Sequence, residues 1–195
     1  SVSVSVGSVG MFVRFVARMT LVPRRRADHT VPTRITPLEN PMPTPLDILL
    51  DPITLIVLGL CAGLMLWERL APGRDLPRVR GWLPRTLAAL AVYLMLSTWL
   101  PLLWADALAP LAVFDASPWP VPAAVAFGVL VYEFGAYAYH RAMHAFTPLW
   151  RLLHQMHHSA ERLDVASAFW FSPLDMAGWA LVASVTLTIA GLPPQ

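Results

Sequence analysis

Charged side chains are scarce in this 195-residue sequence, because Asp, Glu, Lys and Arg together make up only 13% of it. Hydrophobic residues account for 56%, whereas soluble domains average about 45–50% apolar and about 25% charged residues. Several long apolar runs accompany this imbalance. The composition therefore excludes an ordinary soluble domain and indicates an integral membrane protein, whose length fits a single membrane domain.

Cysteine is rare and lysine is missing. The sequence has one cysteine, Cys61, within an apolar run, which excludes disulfides and cysteine-based metal sites. All fourteen basic residues are arginines, and the formal net charge is only +2. Since no basic cluster is interleaved with aromatic residues, nucleic acid is not expected as a partner.

Four apolar runs approach the roughly 20 residues that a helix needs to cross a bilayer. They cover residues 46–67, 86–104, 122–139 and 174–192. Beyond the first ten residues, no segment shows the alternation of apolar and polar residues that is typical of a half-buried strand. The sequence predicts an all-α membrane protein with about four transmembrane helices and short histidine-bearing helices after the third. Pro101 is expected to kink or end the second transmembrane helix.

Residues 1–41 differ from the rest, since a Ser/Val repeat is followed by an Arg- and Pro-rich stretch. An amphipathic segment with arginines is typical of a targeting sequence or an interfacial helix. A third interpretation is that the natural start is Met42 and that the upstream tail is not native. We favour the third, which leaves residues 42–195 as the membrane domain.

The loop arginines predict an orientation, because short cytosolic loops are enriched in basic residues. Loop 68–85 carries five arginines, loop 105–121 carries none, and segment 140–173 carries three. Because successive loops alternate between the two sides of a membrane, segments 68–85 and 140–173 are predicted to be in the cytosol. The residues before the first span are then predicted to be outside. The six arginines upstream of Met42 conflict with that arrangement, which favours Met42 as the start. We expect a multi-pass protein of a bacterial inner membrane whose histidine region faces the cytosol.

Five of the six histidines lie in two groups between positions 140 and 158. Their spacings of three and four residues place the members of each group on one face of a helix. Pro148 separates the groups and is expected to break the helix, so that two short helices can face each other. Because imidazole is the commonest metal-ligating side chain, the pattern predicts a metal site. The predicted ligands are His140, His144, His154, His157 and His158.

Other interpretations of the histidines stay open at this point. The same rings suit a pH-sensitive patch or a surface that faces lipid headgroups. Imidazole ligands alone do not choose between iron, zinc, copper and nickel. A zinc hydrolase of the H-E-x-x-H type is disfavoured, because the segment from His154 to His157 lacks its general-base carboxylate.

Two carboxylates are candidates for orienting the predicted ligands. Glu133 precedes His140 by about two helical turns inside a membrane span, where an ionisable group is costly and by default functional. The alternative for Glu133 is a polar residue at the level of the interface. Asp164 follows the second histidine group at a distance that allows it to cap a helix or to accept an imidazole N–H. Both are predicted to support the histidines as hydrogen-bond acceptors.

The segment YEFGAYAYHRAMHAFTPLWRLLHQMHHSAERLDVASAFWFSPLD, residues 132–175, resembles the first histidine-box region of the fatty acid hydroxylase/sterol desaturase superfamily. The similarity includes the HxxxH and HxxHH boxes, the acidic residue before them and the Pro-Leu-Trp-Arg between them. These proteins are membrane di-iron oxygenases. The resemblance implies two Fe ions held by the five histidines, O2 as co-substrate, and a cytosolic or membrane electron-transfer protein. It also implies that a lipid is hydroxylated or desaturated at an unactivated C–H bond.

The sequence departs from the family pattern in two respects. Trp170 and Ser172 stand where members usually have an Arg and a His. No histidine follows His158, so the downstream histidine box of the family is absent. We interpret the chain as a C-terminally truncated or degenerate member that carries a partial catalytic domain. The alternative function is that of a non-catalytic membrane protein with a partial metal site.

Overall fold

A computed structural model describes residues 43–116 and 118–192. The expectations for the tail and for Met42 as the start concern positions outside these ranges. The described residues form helices and connecting loops, as the apolar runs predicted. Among them, three helices are long and apolar enough to cross a membrane, and a fourth apolar helix is shorter.

The first predicted span consists of two helices that meet at Asp51. Helix α1, Pro45–Leu50, begins with a capping box in which Thr44 and Asp47 bond to each other's backbone N–H groups. Asp51 then caps α2, Pro52–Leu70, by accepting hydrogen bonds from Ile53 N at 3.0 Å and Thr54 N at 3.1 Å. A cap of this kind contributes about 1 kcal/mol to helix stability. The outer face of α2 leaves large apolar side chains exposed, as a lipid-facing helix does: Leu55, Ile56, Leu60 and Leu64.

Helix α3, Trp82–Leu108, is the longest, and a 3₁₀ turn, Ala109–Leu111, extends it. Pro101 lies inside α3, so of the two expected outcomes for this proline, a kink or an end of the helix, the structure excludes an end. Two more apolar helices follow the intervening loop, α4 at Val121–Ala145 and α7 at Pro173–Ile189.

Helix α4 extends beyond the predicted span of 122–139 and carries the first histidine box on its last turns. His140 and His144 thus lie just beyond the predicted third span. The second box follows on a short helical segment made of α5, Thr147–Leu149, a π turn, Trp150–His154, and α6, Gln155–His158. The histidine-bearing helices therefore come after the third span, as the sequence predicted. As predicted, the helix breaks just before Pro148.

Helix α7 is the most enclosed of the apolar helices and packs against both α3 and α4. Its contact with α3 includes a hydrogen bond of 2.9 Å from Trp104 Nε1 to Ser184 Oγ. Its contact with α4 is close at Gly135, where a Cβ would lie 2.2 Å from Thr186 Cγ2. A glycine at this position therefore lets the two helices approach, and α4 and α7 together form the core beneath the histidines.

The loop after α2 and the loop after α6 lie at the same end of the helices. Arg74 Nη2 donates to the carbonyl of Leu163 at 2.9 Å, and Arg162 Nη1 donates to the carbonyl of Pro77 at 3.0 Å. Glu68 accepts from the backbone N–H of Val165 at 2.9 Å. These contacts agree with the expected placement of the two arginine-bearing segments on one side of the bilayer.

Candidate metal centre

The first histidine box occupies the C-terminal turns of α4. His140 and His144 are four residues apart on one face, and their Nε2 atoms lie 3.0 Å from each other. Their ring centroids are 4.8 Å apart. Both rings thus point towards one region just beyond the apolar part of the helix.

A π turn positions the second box. In Trp150–His154 the backbone N–H of Gln155 bonds to the carbonyl of Trp150, five residues earlier, so this turn is wider than an α turn. Such turns are often found at functional sites. The turn brings His154 into the protein interior, while His158, one turn later, approaches it with ring centroids 4.8 Å apart.

The two boxes converge on one point. His140, His144, His154 and His158 each offer a ring nitrogen, and these four atoms all lie within 4.8 Å of one another. We call these residues the four-histidine cluster. The chain positions that contribute to it come from two helical segments separated by the break at Pro148. The arrangement suits a cation held by nitrogen ligands.

His154 supplies the sharpest test of whether these residues fit a metal. Its side chain is 1% exposed, and its Nδ1 lies 2.9 Å from Oδ2 of Asp175, which is 0% exposed. The other ring nitrogen, Nε2, is buried and has no hydrogen-bond partner among the described residues. A ligating histidine characteristically bonds a carboxylate through one nitrogen and presents the other to the metal. The residues therefore fit a bound metal ion.

His157, a predicted ligand, lies beside the four-histidine cluster and not within it. Its Nδ1 lies 3.3 Å from the carbonyl oxygen of Trp170, and its ring stacks on Phe171 with centroids 4.1 Å apart. Burial, together with the nearby rings of His154 and His158, lowers the pKa of His157 to about 4. His157 is thus a neutral imidazole at pH 7.

His158 is exposed at the outer side of the cluster. Desolvation lowers its pKa, and so do the neighbouring rings of His154 and His144. A metal ligand has to be a neutral imidazole, so this shift keeps His158 available for ligation at neutral pH.

Trp150, which the sequence indicated only as part of the Pro-Leu-Trp-Arg match between the boxes, is an aromatic neighbour of the cluster. Its ring centroid lies 5.1 Å from that of His144 and 4.9 Å from that of His158. The spacing of Trp150, His154 and His158 at intervals of four residues was the available signal. The indole lies against the two more exposed histidines.

The predicted supporting carboxylates lie elsewhere. Glu133 is exposed on α4. Asp164 accepts hydrogen bonds from Trp82 Nε1 and from the backbone of Ser167, each at 3.0 Å, and pairs with Arg162. Neither is hydrogen-bonded to a histidine of the described ranges, so a role for them at a metal stays a prediction. In the described part of the chain, the carboxylate beside a histidine is Asp175, which was not among the predicted supporting carboxylates.

The two positions that depart from the family pattern have structural contacts of their own. The ring of Trp170 packs on Trp82 with centroids 5.3 Å apart. Ser172 is the N-cap of α7, since its Oγ accepts from Asp175 N at 3.1 Å. The same hydroxyl donates to the carbonyl of Leu153 at 3.1 Å. Ser172 therefore links the start of α7 to the turn that carries His154.

Comparison with known proteins shows that the cluster lies in a region similar to a known sequence family. The family model described as Fatty acid hydroxylase matches residues 125–195. The ornithine lipid hydroxylase OlsE of Rhizobium tropici is 35% identical over 75 residues, which are 38% of this chain and 22% of that protein. The aligned part thus spans about a fifth of the length of this relative. No solved structure matches the chain.

Proposed function

Because residues 125–195 match the fatty acid hydroxylase family, as the resemblance predicted, we propose that the chain is part of a membrane-bound, iron-dependent lipid oxygenase. The proposed reaction is hydroxylation or desaturation of a lipid C–H bond with O2. The proposal concerns the whole protein, since the matched region covers only 22% of the curated relative.

One observation carries the proposal. Four imidazole nitrogens lie within 4.8 Å of one another at the end of an apolar helix, inside the region that matches the family. The buried Nε2 of His154 has no partner of its own in the described part of the chain. A patch of histidines that served only as a pH sensor would not require a buried, unpaired nitrogen, whose desolvation is unfavourable.

Iron, when bound, would supply the activation of O2 and the oxidation of an unactivated C–H bond. The four-histidine cluster is large enough for one ion. His157 lies next to it and is the candidate ligand for a second ion. No histidine follows His158 in the sequence. A di-iron centre of the family type would therefore take further ligands from outside the five histidines of these boxes.

The protein's own residues would hold the lipid and restrict water. The exposed apolar side chains of α4, Leu130 and Phe134, face outwards from the helix that carries His140. A lipid chain could approach along this surface within the bilayer. The sequence similarity to the ornithine lipid hydroxylase OlsE makes a polar membrane lipid such as an ornithine lipid the first substrate to test.

We further propose that the cluster faces the cytosol. The two loops linked by Arg74 and Arg162 lie at the end of the helices that carries the histidines. The loop after α2 is rich in arginine, as cytosolic loops are. A site on this side could receive electrons from a cytosolic or membrane-bound electron-transfer protein.

Metal analysis tests the proposal directly. The chain is produced in bacterial membranes, purified in detergent without oxygen, supplied with Fe²⁺ and passed through a desalting column. We expect iron to stay with the wild type and to be lost from His154→Ala. The matched control is His29→Ala, because His29 is the one histidine outside the two boxes. Its iron content should equal that of the wild type.

Lipid analysis separates the enzyme from a non-catalytic metal protein. Membranes that contain the wild type and an ornithine lipid are examined by mass spectrometry for a gain of one oxygen or a loss of two hydrogens. Product in the wild type and in His29→Ala, but not in His154→Ala, supports the oxygenase. Retained iron without any altered lipid supports the non-catalytic alternative. A wild type that retains no iron contradicts the proposed metal site.

A further inference from the structure

Asp175 is a carboxylate in an otherwise apolar helix, where a charged side chain is not expected. It lies in the first turn of α7, in a helix whose other described side chains are apolar or small and polar. It is 0% exposed, although a buried carboxylate is strongly unfavourable unless it is paired. Its pairing partner is His154, with Nδ1 and Oδ2 at 2.9 Å.

Local structure holds this pair in a fixed geometry. The Ser172 hydroxyl accepts from the backbone N–H of Asp175 and donates to the carbonyl of Leu153, both at 3.1 Å. One side chain thus bridges the residue before His154 and the turn that contains Asp175. The carboxylate and the imidazole are therefore positioned by backbone contacts as well as by their own hydrogen bond.

With Asp175 ionised, the pair also determines which nitrogen of His154 carries the proton. An ionised carboxylate only accepts hydrogen bonds, so the nitrogen that faces it has to be Nδ1–H. The lone pair then lies on Nε2, which is buried within the four-histidine cluster and lacks a partner in the described ranges. Hydrogen bonding by one ring nitrogen in this way fixes the tautomer that a metal requires.

We propose that Asp175 is the positioning residue for His154, which it holds in the Nδ1–H tautomer with Nε2 directed at the metal. This inference rests on the proposed function, because it assigns Asp175 a role towards the ion that the cluster would bind. Asp175 does not touch the ion or the substrate. It acts through the imidazole.

Three variants of the full chain test the inference. Asp175→Leu keeps the branched shape of the side chain and removes the acceptor, whereas Asp175→Asn keeps one acceptor oxygen and removes the charge. The matched control is Ser184→Ala, which removes another buried polar group of α7 that is bonded to Trp104 and lies far along the helix from the histidines. Each protein is purified in detergent and titrated with Co²⁺, whose absorption reports binding.

Loss of a hydrogen-bonding partner of a ligating histidine typically lowers metal affinity by about 10–100-fold. We expect a loss in this range for Asp175→Leu, a smaller loss for Asp175→Asn and no change for Ser184→Ala. If Asp175→Leu does not fold, the smaller loss of Co²⁺ affinity expected for Asp175→Asn still tests the proposal. Affinity equal to that of the wild type in Asp175→Asn and in any folded Asp175→Leu would overturn the proposal.

A second measurement does not need bound metal. Nitrogen-15 chemical shifts of labelled histidines in the metal-free protein distinguish the two neutral tautomers, and His154→Ala identifies the His154 signals. We expect the Nδ1–H form in the wild type and a mixture of tautomers in the folded Asp175 variants. An Nε2–H ring in the wild type, or an unchanged Nδ1–H ring in those variants, would contradict the role of Asp175.

The two measurements also distinguish failure of this inference from failure of the proposed function. A wild type that shows the Nδ1–H tautomer yet binds no Co²⁺ contradicts the metal site and leaves Asp175 as the residue that sets the tautomer. If the Asp175 variants bind Co²⁺ as tightly as the wild type does, the role of Asp175 is contradicted, whereas the metal site is supported.

Discussion

The indole Nε1 of Trp82 donates a hydrogen bond of 3.0 Å to Asp164, although 82 residues of chain separate them. Trp82 begins α3, and Asp164 caps the 3₁₀ helix Val165–Phe169 that precedes α7. The bond therefore connects the loop after α2 to the loop after the second histidine box. This relationship requires both loops to be on one side of the membrane.

Labelling of single cysteines checks that arrangement. In a Cys61→Ala background, Gly73→Cys and Glu161→Cys place thiols on the two connected loops, and Val113→Cys places one on the loop between α3 and α4. With the cluster in the cytosol, a membrane-impermeant maleimide added to spheroplasts should label Val113→Cys alone. Inverted vesicles should give the reverse pattern. Labelling of Gly73→Cys and Glu161→Cys from opposite sides would contradict the structure.

Gly178 on α7 is predicted to be intolerant of a side chain. A Cβ there would lie 1.9 Å from the hydroxyl oxygen of Tyr139 and 2.9 Å from its Cζ. Gly178→Ala should therefore push Tyr139 away and cost about 1–3 kcal/mol in the free energy of unfolding, as overpacking of a core does. Thermal denaturation in detergent measures the loss.

The control for this change is Gly59→Ala on α2, where a Cβ meets nothing within 4 Å. That variant should be as stable as the wild type or more stable, because alanine favours a helix by up to about 1 kcal/mol over glycine. Adding Tyr139→Phe to Gly178→Ala should recover part of the loss, since it removes the nearest atom. Equal melting temperatures for Gly178→Ala and Gly59→Ala would show that the helices are not packed as described.

His157 and His158 should differ in their importance for a single bound ion. His158 belongs to the four-histidine cluster, whereas His157 is bonded to the carbonyl of Trp170 and stacked on Phe171. We expect His158→Ala to abolish binding of one equivalent of Co²⁺. His157→Ala should lower the Co²⁺ affinity without abolishing binding. Equal losses in equilibrium titrations would instead support His157 as a ligand of that ion, as its spacing in the sequence predicted.

The stability of the metal-free protein should depend on the protonation of His157. Its pKa is about 4 in the folded chain, compared with 6.5 for an unperturbed histidine. Between these values the unfolded chain binds a proton that the folded chain does not, so stability falls as the pH is lowered through this window. Melting temperatures between pH 7 and pH 4 should fall less steeply for His157→Gln than for the wild type. Parallel curves would contradict the lowered pKa.

The sequence was sufficient to predict the structural features that depend on the local spacing of residues. Pro148 marks the break between the histidine helices, and the pairs His140/His144 and His154/His158 share faces as their four-residue intervals predicted. The division of the first span at Asp51 was also available, because Asp before Pro is a typical start of a helix. It was missed because the apolar run continues through it.

The contacts that complete the site depend on packing between distant segments. Asp175 lies 21 residues from His154 in the sequence, and no periodicity connects them. Glu133 and Asp164 were equally plausible partners for a histidine until the helices were placed. Such pairs are determined by how α7 packs beneath the second box, which propensities and spacing do not specify.

The π turn at Trp150–His154 makes the site sensitive to the number of residues in the chain, and not only to their identity. An α-helix advances about 100° per residue. Removing one residue from this turn would restore ordinary helical winding and rotate everything before it by about that angle relative to His154. All the histidines would survive such a deletion, yet the two boxes would no longer face each other.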